Sequence, residues 1–160
     1  MSLRRANITW NSKQISKMIE NNKISFDNIV QRGDVWESAR RSYLIDSMIT
    51  GYVVPPIYAK RGDDKVYDVL EGKQRLTTIH MFLNDKFALT GLNDIVIVDD
   101  VSNEENIYRL NGLRFSELPE EIKEIINTFT FTIYYFDDIT SEEIREVFKR
   151  LNNGKPLSTK

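Results

Sequence analysis

Across Val66–Thr78 (V-Y-D-V-L-E-G-K-Q-R-L-T-T) the chain changes its hydrophobic period. Before Gly72, the residues Val66, Tyr67, Val69 and Leu70 suit a strand with both faces engaged. After it, Leu76, Ile79, His80, Phe82 and Leu83 follow helical spacing from about Lys73 to Asn84. A strand and a helix joined by so short a turn fit a small sheet with helices packed on it.

The same turn has a chemistry. Gly72 lacks a Cβ, so its φ can be positive and its backbone can come close to an anion. The helix that follows opens with unpaired N–H groups and a partial positive charge, which together suit a phosphate. Lys73 and Arg75 add formal charge, and Arg75 can grip phosphate oxygens in a bidentate fork. Glu71 is placed to hold a divalent metal or to orient Arg75. Gln74 sits between them, and Thr77 and Thr78 offer hydroxyls. The plain alternative is a glycine turn before an exposed helix start, because a single glycine is less specific than a P-loop.

The rest of the composition narrows the choices. The chain has 160 residues, 41% hydrophobic and 29% charged, which suits one domain with a core of its own. A net charge of -2 argues against a generic nucleic-acid coat and leaves room for a local basic groove. The absence of cysteine removes disulfides, thiolate metal sites and Cys nucleophiles. One histidine, His80, removes any centre that needs two from this chain, and its helical position suits a hydrogen-bonded core residue. No apolar run reaches the roughly 20 residues of a membrane span. The expectation is a cytoplasmic protein without membrane contact.

Along the chain, Asn11 or Ser12 caps a short helix with Ile15, Met18 and Ile19 on its apolar side. Ile24–Val30 reads as extended, and Gln31-Arg32-Gly33-Asp34 as a turn. Ser38–Thr50 reads as a helix burying Tyr43, Leu44, Ile45 and Met48, closed by Gly51. Arg40-Arg41 reads as its solvated face. Pro55-Pro56 leads into a strand at Ile57–Ala59, and Arg61–Asp64 turns it back into a strand over Lys65–Leu70. A strand is expected at Ile95–Val98, with a loop through Asn111-Gly112. Pro119–Phe129 reads as a helix and Thr130–Phe136 as a strand, more suited to sheet core than to stacking bases. Thr140 or Ser141 then caps a last helix that ends in Lys149-Arg150 before Asn153-Gly154. Glu104-Glu105 and Glu120-Glu121 read as helix-start or solvent charges. The architecture is mixed α/β (α+β), with helices packed on a small sheet. Residues 1–27 form a lead-in with a helix, and residues 28–160 form the domain, cut from a longer parent protein.

Five stretches occur together and in order: Q-R-G-D-V-W (Gln31–Trp36), L-I-D-S-M-I-T-G (Leu44–Gly51), V-P-P-I-Y (Val54–Tyr58), L-E-G-K-Q-R-L-T-T (Leu70–Thr78) and V-F-K-R-L-N-N-G-K-P-L-S (Val147–Ser158). In this the chain resembles the domain family with a D-G-Q-Q-R signature, which includes the N-terminal region of GmrSD-type modification-dependent restriction enzymes and related phage-defence proteins. The resemblance implies a fold related to the ParB/sulfiredoxin group. It also implies nucleotide binding, in some members hydrolysis of a nucleoside triphosphate (with Mg²⁺) coupled to DNA restriction, and a C-terminal nuclease domain or partner subunit. By position, Glu71, Gly72, Gln74 and Arg75 take the signature roles, and Gln31-Arg32 the upstream Gln-Arg. Arg150 and Asn152 are candidates for the same pocket, against the alternative of an ordinary helix C-cap. Two positions depart from the signature: its Asp is Glu71, which keeps the charge on an arm one methylene longer, and its first Gln is Lys73, which adds a charge.

Three functions follow as expectations. The first is a nucleotide-binding domain, with Glu71, Arg75 and Gln74 as catalytic residues and Gln31, Arg32, Gly72, Lys73, Thr77, Arg150 and Asn152 around the nucleotide. The second is a ParB-like metal-dependent nuclease using Glu71 and Asp68. Their spacing of three puts them on opposite faces of a regular strand, so this needs a bulge. The third is a non-catalytic module that binds DNA or protein.

Overall fold

The computed structural model of the chain describes residues 3–27 and 35–152, with the side chain of Asn152 outside that description. Arg5–Asn11 is strand β1, in a stretch where the sequence suggested only a lead-in. Asn11 then caps helix α1 (Ser12–Glu20): its Oδ1 accepts the Gln14 N–H at 2.7 Å and satisfies a first-turn amide. Strand β2 is only Ile24–Ser25, shorter than the extended run expected to Val30; Phe26 and Asp27 belong to no strand.

Helix α2 (Ser38–Thr50) ends on Gly51 at φ +88°, the left-handed C-cap expected there. Its buried side is Arg41, Ser42, Leu44, Ile45, Met48 and Ile49. Tyr43, expected in that set, is 69% exposed. At about 100° per residue it lies opposite the stripe centred on Arg41, Ile45 and Met48.

Strands β3 (Ile57–Arg61) and β4 (Tyr67–Glu71) form the expected hairpin, closed by Gly62 N–H to Val66 O at 3.0 Å and Lys65 at φ +65°. Helix α3 runs Lys73–Leu83. Strands β5 (Ile95–Val98) and β6 (Glu105–Tyr108) pair with each other in a separate two-stranded sheet. The sequence reading had no β6, and Glu105 is a solvent-facing residue of it. A 3-10 turn (Phe115–Glu117) precedes helix α4 (Glu120–Thr128), with Glu120 and Glu121 in its first turn as expected. Strand β7 (Thr130–Asp137) leads to helix α5 (Ser141–Asn152). Thr140 and Glu143 satisfy each other's backbone amides in a capping box.

The main sheet has the order β1-β7-β3-β4-β2. Its successive pairings are antiparallel, parallel, antiparallel and parallel. One face carries Trp10, Ile57, Ala59, Val69, Phe131 and Ile133 into the main core with helices α1 to α4. The other face carries Leu70 and Phe136 to α5, where Ile139 and Ile144 complete a second cluster. The chain is thus the mixed α/β domain expected. Each side of β4 serves a different layer, which accounts for the two-sided pattern of Val69 and Leu70.

Gly72 adopts φ +115° as N-cap of α3. A Cβ there would collide with Ile57 Cδ1 and lie 3.3 Å from Ile57 Cγ2. Gly51, also left-handed, has open space where a Cβ would go. Chemical denaturation should therefore separate the two: Gly51→Ala should cost about 1 kcal/mol of backbone strain, and Gly72→Ala about 2–4 kcal/mol from strain plus overpacking. Equal losses would show that the Ile57 contact carries no energy.

Candidate functional site

The turn between β4 and α3 is held from below. Arg75, one turn into α3, folds back so that its Nη2 donates to Pro56 O at 2.9 Å, at the entrance to β3. The same Nη2 lies 3.4 Å from where a Gly72 Cβ would stand. Arg75 Nε is buried and has no hydrogen-bond partner among the described residues. Burial pushes the Arg75 pKa down, and the charge of Glu71 pulls it back up in part. Gly72 supplies no side-chain cap to the first turn of α3, so the helix start is left to its own amides. Lys73 at that start is exposed, whereas Glu71 and Gln74 are half-buried.

The strand leading into the turn is irregular. Tyr58 pairs with Glu71 but Ala59 pairs with Val69, so Leu70 is an extra residue on the β4 side. Asp68 pairs with Lys60. Lys60 and Tyr58 are two apart on β3 and share a face of the sheet, so the bulge brings Asp68 and Glu71 to that face as well. A regular strand would have set them on opposite sides. The described residues contain no group of three or more His, Cys, Asp or Glu arranged to hold a metal.

A third strand of the site comes from the segment before α2. Gln74 Oε1 accepts the Trp36 N–H at 3.3 Å, and Arg41 Nε donates to Trp36 O at 3.0 Å. Arg41 Nη1 reaches Thr78 Oγ1 at 3.2 Å and also meets Met81 Sδ. Arg41 is buried, which corrects its assignment to a solvated face; Arg40 does lie outside, over the Trp36 ring at 4.6 Å. The sequence signal for Arg41 was its place three and four residues before Leu44 and Ile45, on the buried stripe.

The remaining sequence-derived candidates fall as follows. Thr77 Oγ1 donates within α3 to Lys73 O at 2.9 Å and Gln74 O at 3.3 Å. Thr78 is fully buried against Arg41. Arg150 is exposed and pairs with Glu146 at 2.7 Å along α5. His80 Nδ1 shares a hydrogen bond with Ser16 Oγ at 2.8 Å, which packs α3 on α1. Gln31 and Arg32, and the side chain of Asn152, lie outside the described residues.

At the far end of the sheet, a polar cleft of about 530 Å³ is lined by Arg4, Arg61, Lys65, Asp137, Thr140 and Glu143 among others. Its charges are largely matched internally. Arg61 grips Asp137 through two bonds, at 2.8 and 2.9 Å, and stacks 4.7 Å from the centre of the Tyr135 ring. That ion pair pushes the Asp137 carboxyl down and raises the guanidinium. The cleft and the β4–α3 turn lie at opposite ends of β4, so they do not form one site.

A family model described as GmrSD restriction endonuclease, N-terminal domain, matches residues 12–160. No curated protein and no solved structure matches the chain. No helix among the described residues is long and apolar enough to cross a membrane.

Replacing Arg41 by Met keeps most of its volume but leaves Trp36 O and Thr78 Oγ1 without their donor. This should cost about 2–3 kcal/mol in urea unfolding and loosen the Trp36 indole, seen as a red shift of its fluorescence. An unchanged midpoint would mean that Arg41 does not brace this corner.

Proposed function

Because this chain belongs to the family of GmrSD restriction endonuclease N-terminal domains, we propose that it is the nucleotide-binding domain of a restriction and phage-defence protein, with the Gly72–Arg75 turn as its phosphate site. The observation that carries the reading is Arg75: a half-buried guanidinium beneath an uncapped helix start, its Nε buried without a partner among the described residues. A desolvated cation with a spare donor is costly unless an anion completes it, and a phosphate would do so. The amides of α3 and the exposed Lys73 would bind the same group from above. Lys73, where the family signature has Gln, adds charge to that side.

In this reading Glu71 orients Arg75 and, when Mg²⁺ accompanies the nucleotide, supplies a carboxylate oxygen to it. Hydrolysis would use Glu71 to polarise the attacking water. Gln74 ties the pocket to Trp36, a few residues after Gln31 and Arg32, which supports the view that this Gln-Arg pair closes the nucleotide from the other side. Arg150 and Asn152 belong to the outer rim of the proposal, since Arg150 is engaged with Glu146. DNA is met through the rest of the restriction protein, including a nuclease domain or subunit.

Calorimetric titration with ATP, GTP and CTP tests this. Arg75→Lys keeps the charge and loses the fork, and Lys73→Glu reverses an exposed charge without touching the core. Each should weaken binding of the preferred nucleotide about tenfold, the loss of one charge-assisted hydrogen bond. Binding as tight as in the parent for both variants sinks the assignment.

The β4 bulge favours a second reading, a metal-dependent nuclease, because it places Asp68 and Glu71 on one face of the sheet. With Mg²⁺ or Mn²⁺ and plasmid DNA, that reading expects nicking that disappears in Glu71→Gln. Absence of cleavage by the parent protein under both metals eliminates it.

A further inference from the structure

Strand β5 is Ile95-Val96-Ile97-Val98, four aliphatic residues in succession. A strand with one face in water alternates apolar with polar residues; an unbroken aliphatic run marks a strand covered on both faces. Among the described residues only one face of β5 is covered. Ile95 is buried and Ile97 half-buried against the main core, and Tyr108 on β6 donates its hydroxyl to Glu121 of α4. The outward face is bare: Val96 is 50% exposed, Val98 49% and Ile107 61%. Val96 and Ile107 are direct cross-strand partners, so these side chains form one continuous aliphatic surface. Val101, in the connection between the strands, is 95% exposed as well.

The rim of this surface is acidic. Over residues 94–109 the acidic side chains are Asp94, Asp99, Asp100, Glu104 and Glu105, against a single cation, Arg109. Arg109 is taken up by Asp94 at 3.2 Å. The four acids near the connection have no basic neighbour in the hairpin's own sequence. That charge repels nucleic acid, and it repels a second copy of the same hairpin. What it complements is a protein surface with an apolar centre and lysines or arginines beside it.

The geometry points to a cationic amphipathic helix as the occupant: we propose that the β5–β6 hairpin docks a helix of a protein partner whose apolar stripe covers Val96, Val98 and Ile107 and whose flanking Lys or Arg residues meet the acidic rim. Two strands of four residues present a face about 10 Å wide and about 13 Å long. That is the width of one helix and the length of two to three of its turns. A sheet face finds its second layer most simply in a helix.

The test uses the chain as it stands and two synthetic helical peptides with the same leucine stripe, one flanked by lysines and one by glutamates. In fluorescence anisotropy the lysine peptide should bind at least tenfold tighter than the glutamate peptide, and less tightly as salt rises. Val96→Thr with Ile107→Thr should weaken it at least tenfold while the thermal melt of the domain stays in place, since both side chains are exposed. Glu104→Lys with Glu105→Lys should shift the preference toward the glutamate peptide. Equal affinity for the two peptides, or no effect of the threonine pair, overturns the proposal. So does a dimer in sedimentation that the threonine pair converts to monomer, because the occupant would then be a second copy.

Discussion

The close approach of Gly72 to Ile57 governs the geometry of the whole candidate site. Ile57 is the first residue of β3, which lies between β7 and β4 in the middle of the main sheet. With no Cβ at Gly72, the backbone turns at φ +115° directly over that side chain and α3 starts there. Arg75 then reaches back to Pro56 O and ties the first turn of α3 to the chain that enters β3. Sheet centre, turn and helix start are thereby tied together. A phosphate site needs this, because amides and a guanidinium act together only if their positions are set before the ligand arrives.

Arg75 divides its donors unequally. One nitrogen stabilises the turn, while a buried one is left over among the described residues. Arg41, by contrast, is spent on structure: it bridges Trp36, Thr78 and Met81, and so fastens the segment before α2 to the outer side of α3. The buried Arg41 and the half-buried Arg75 thus differ in whether their buried donors are satisfied. The surface shows the same division. Lys73 and Arg75 place positive charge at one end of β4, the Arg61–Asp137 end is internally neutralised, and the β5–β6 hairpin concentrates negative charge. A net charge of -2 therefore hides distinct electrostatic regions.

Most helices and strands were legible because their signals are local. The change of period at Gly72, the left-handed Gly51, the hairpin turn at Arg61–Asp64 and the capping of α5 by Thr140 and Glu143 all depend on a few adjacent residues. So does the chemistry of the turn, since a glycine before a helix start with Lys and Arg has the same donors in any fold. What was not legible depends on distant partners. Strand β1 has too many polar residues to declare itself, and exists because β7 offers it an edge. Strand β6 exists because β5 pairs with it. Tyr43 and Arg41 exchanged sides because the direction of the α2 stripe is set by what packs on it. The bulge at Leu70 follows from how β4 must register against β3, and with it comes the common face of Asp68 and Glu71.

The sequence alone determined the class of fold and the position of the strand–turn–helix element, because these follow from hydrophobic period and from backbone freedom at Gly72. Only the tertiary structure decided which donors of Arg75 are spent, which carboxylates share a face and which aliphatic surface stays uncovered, because each of these is a contact between residues far apart in the chain.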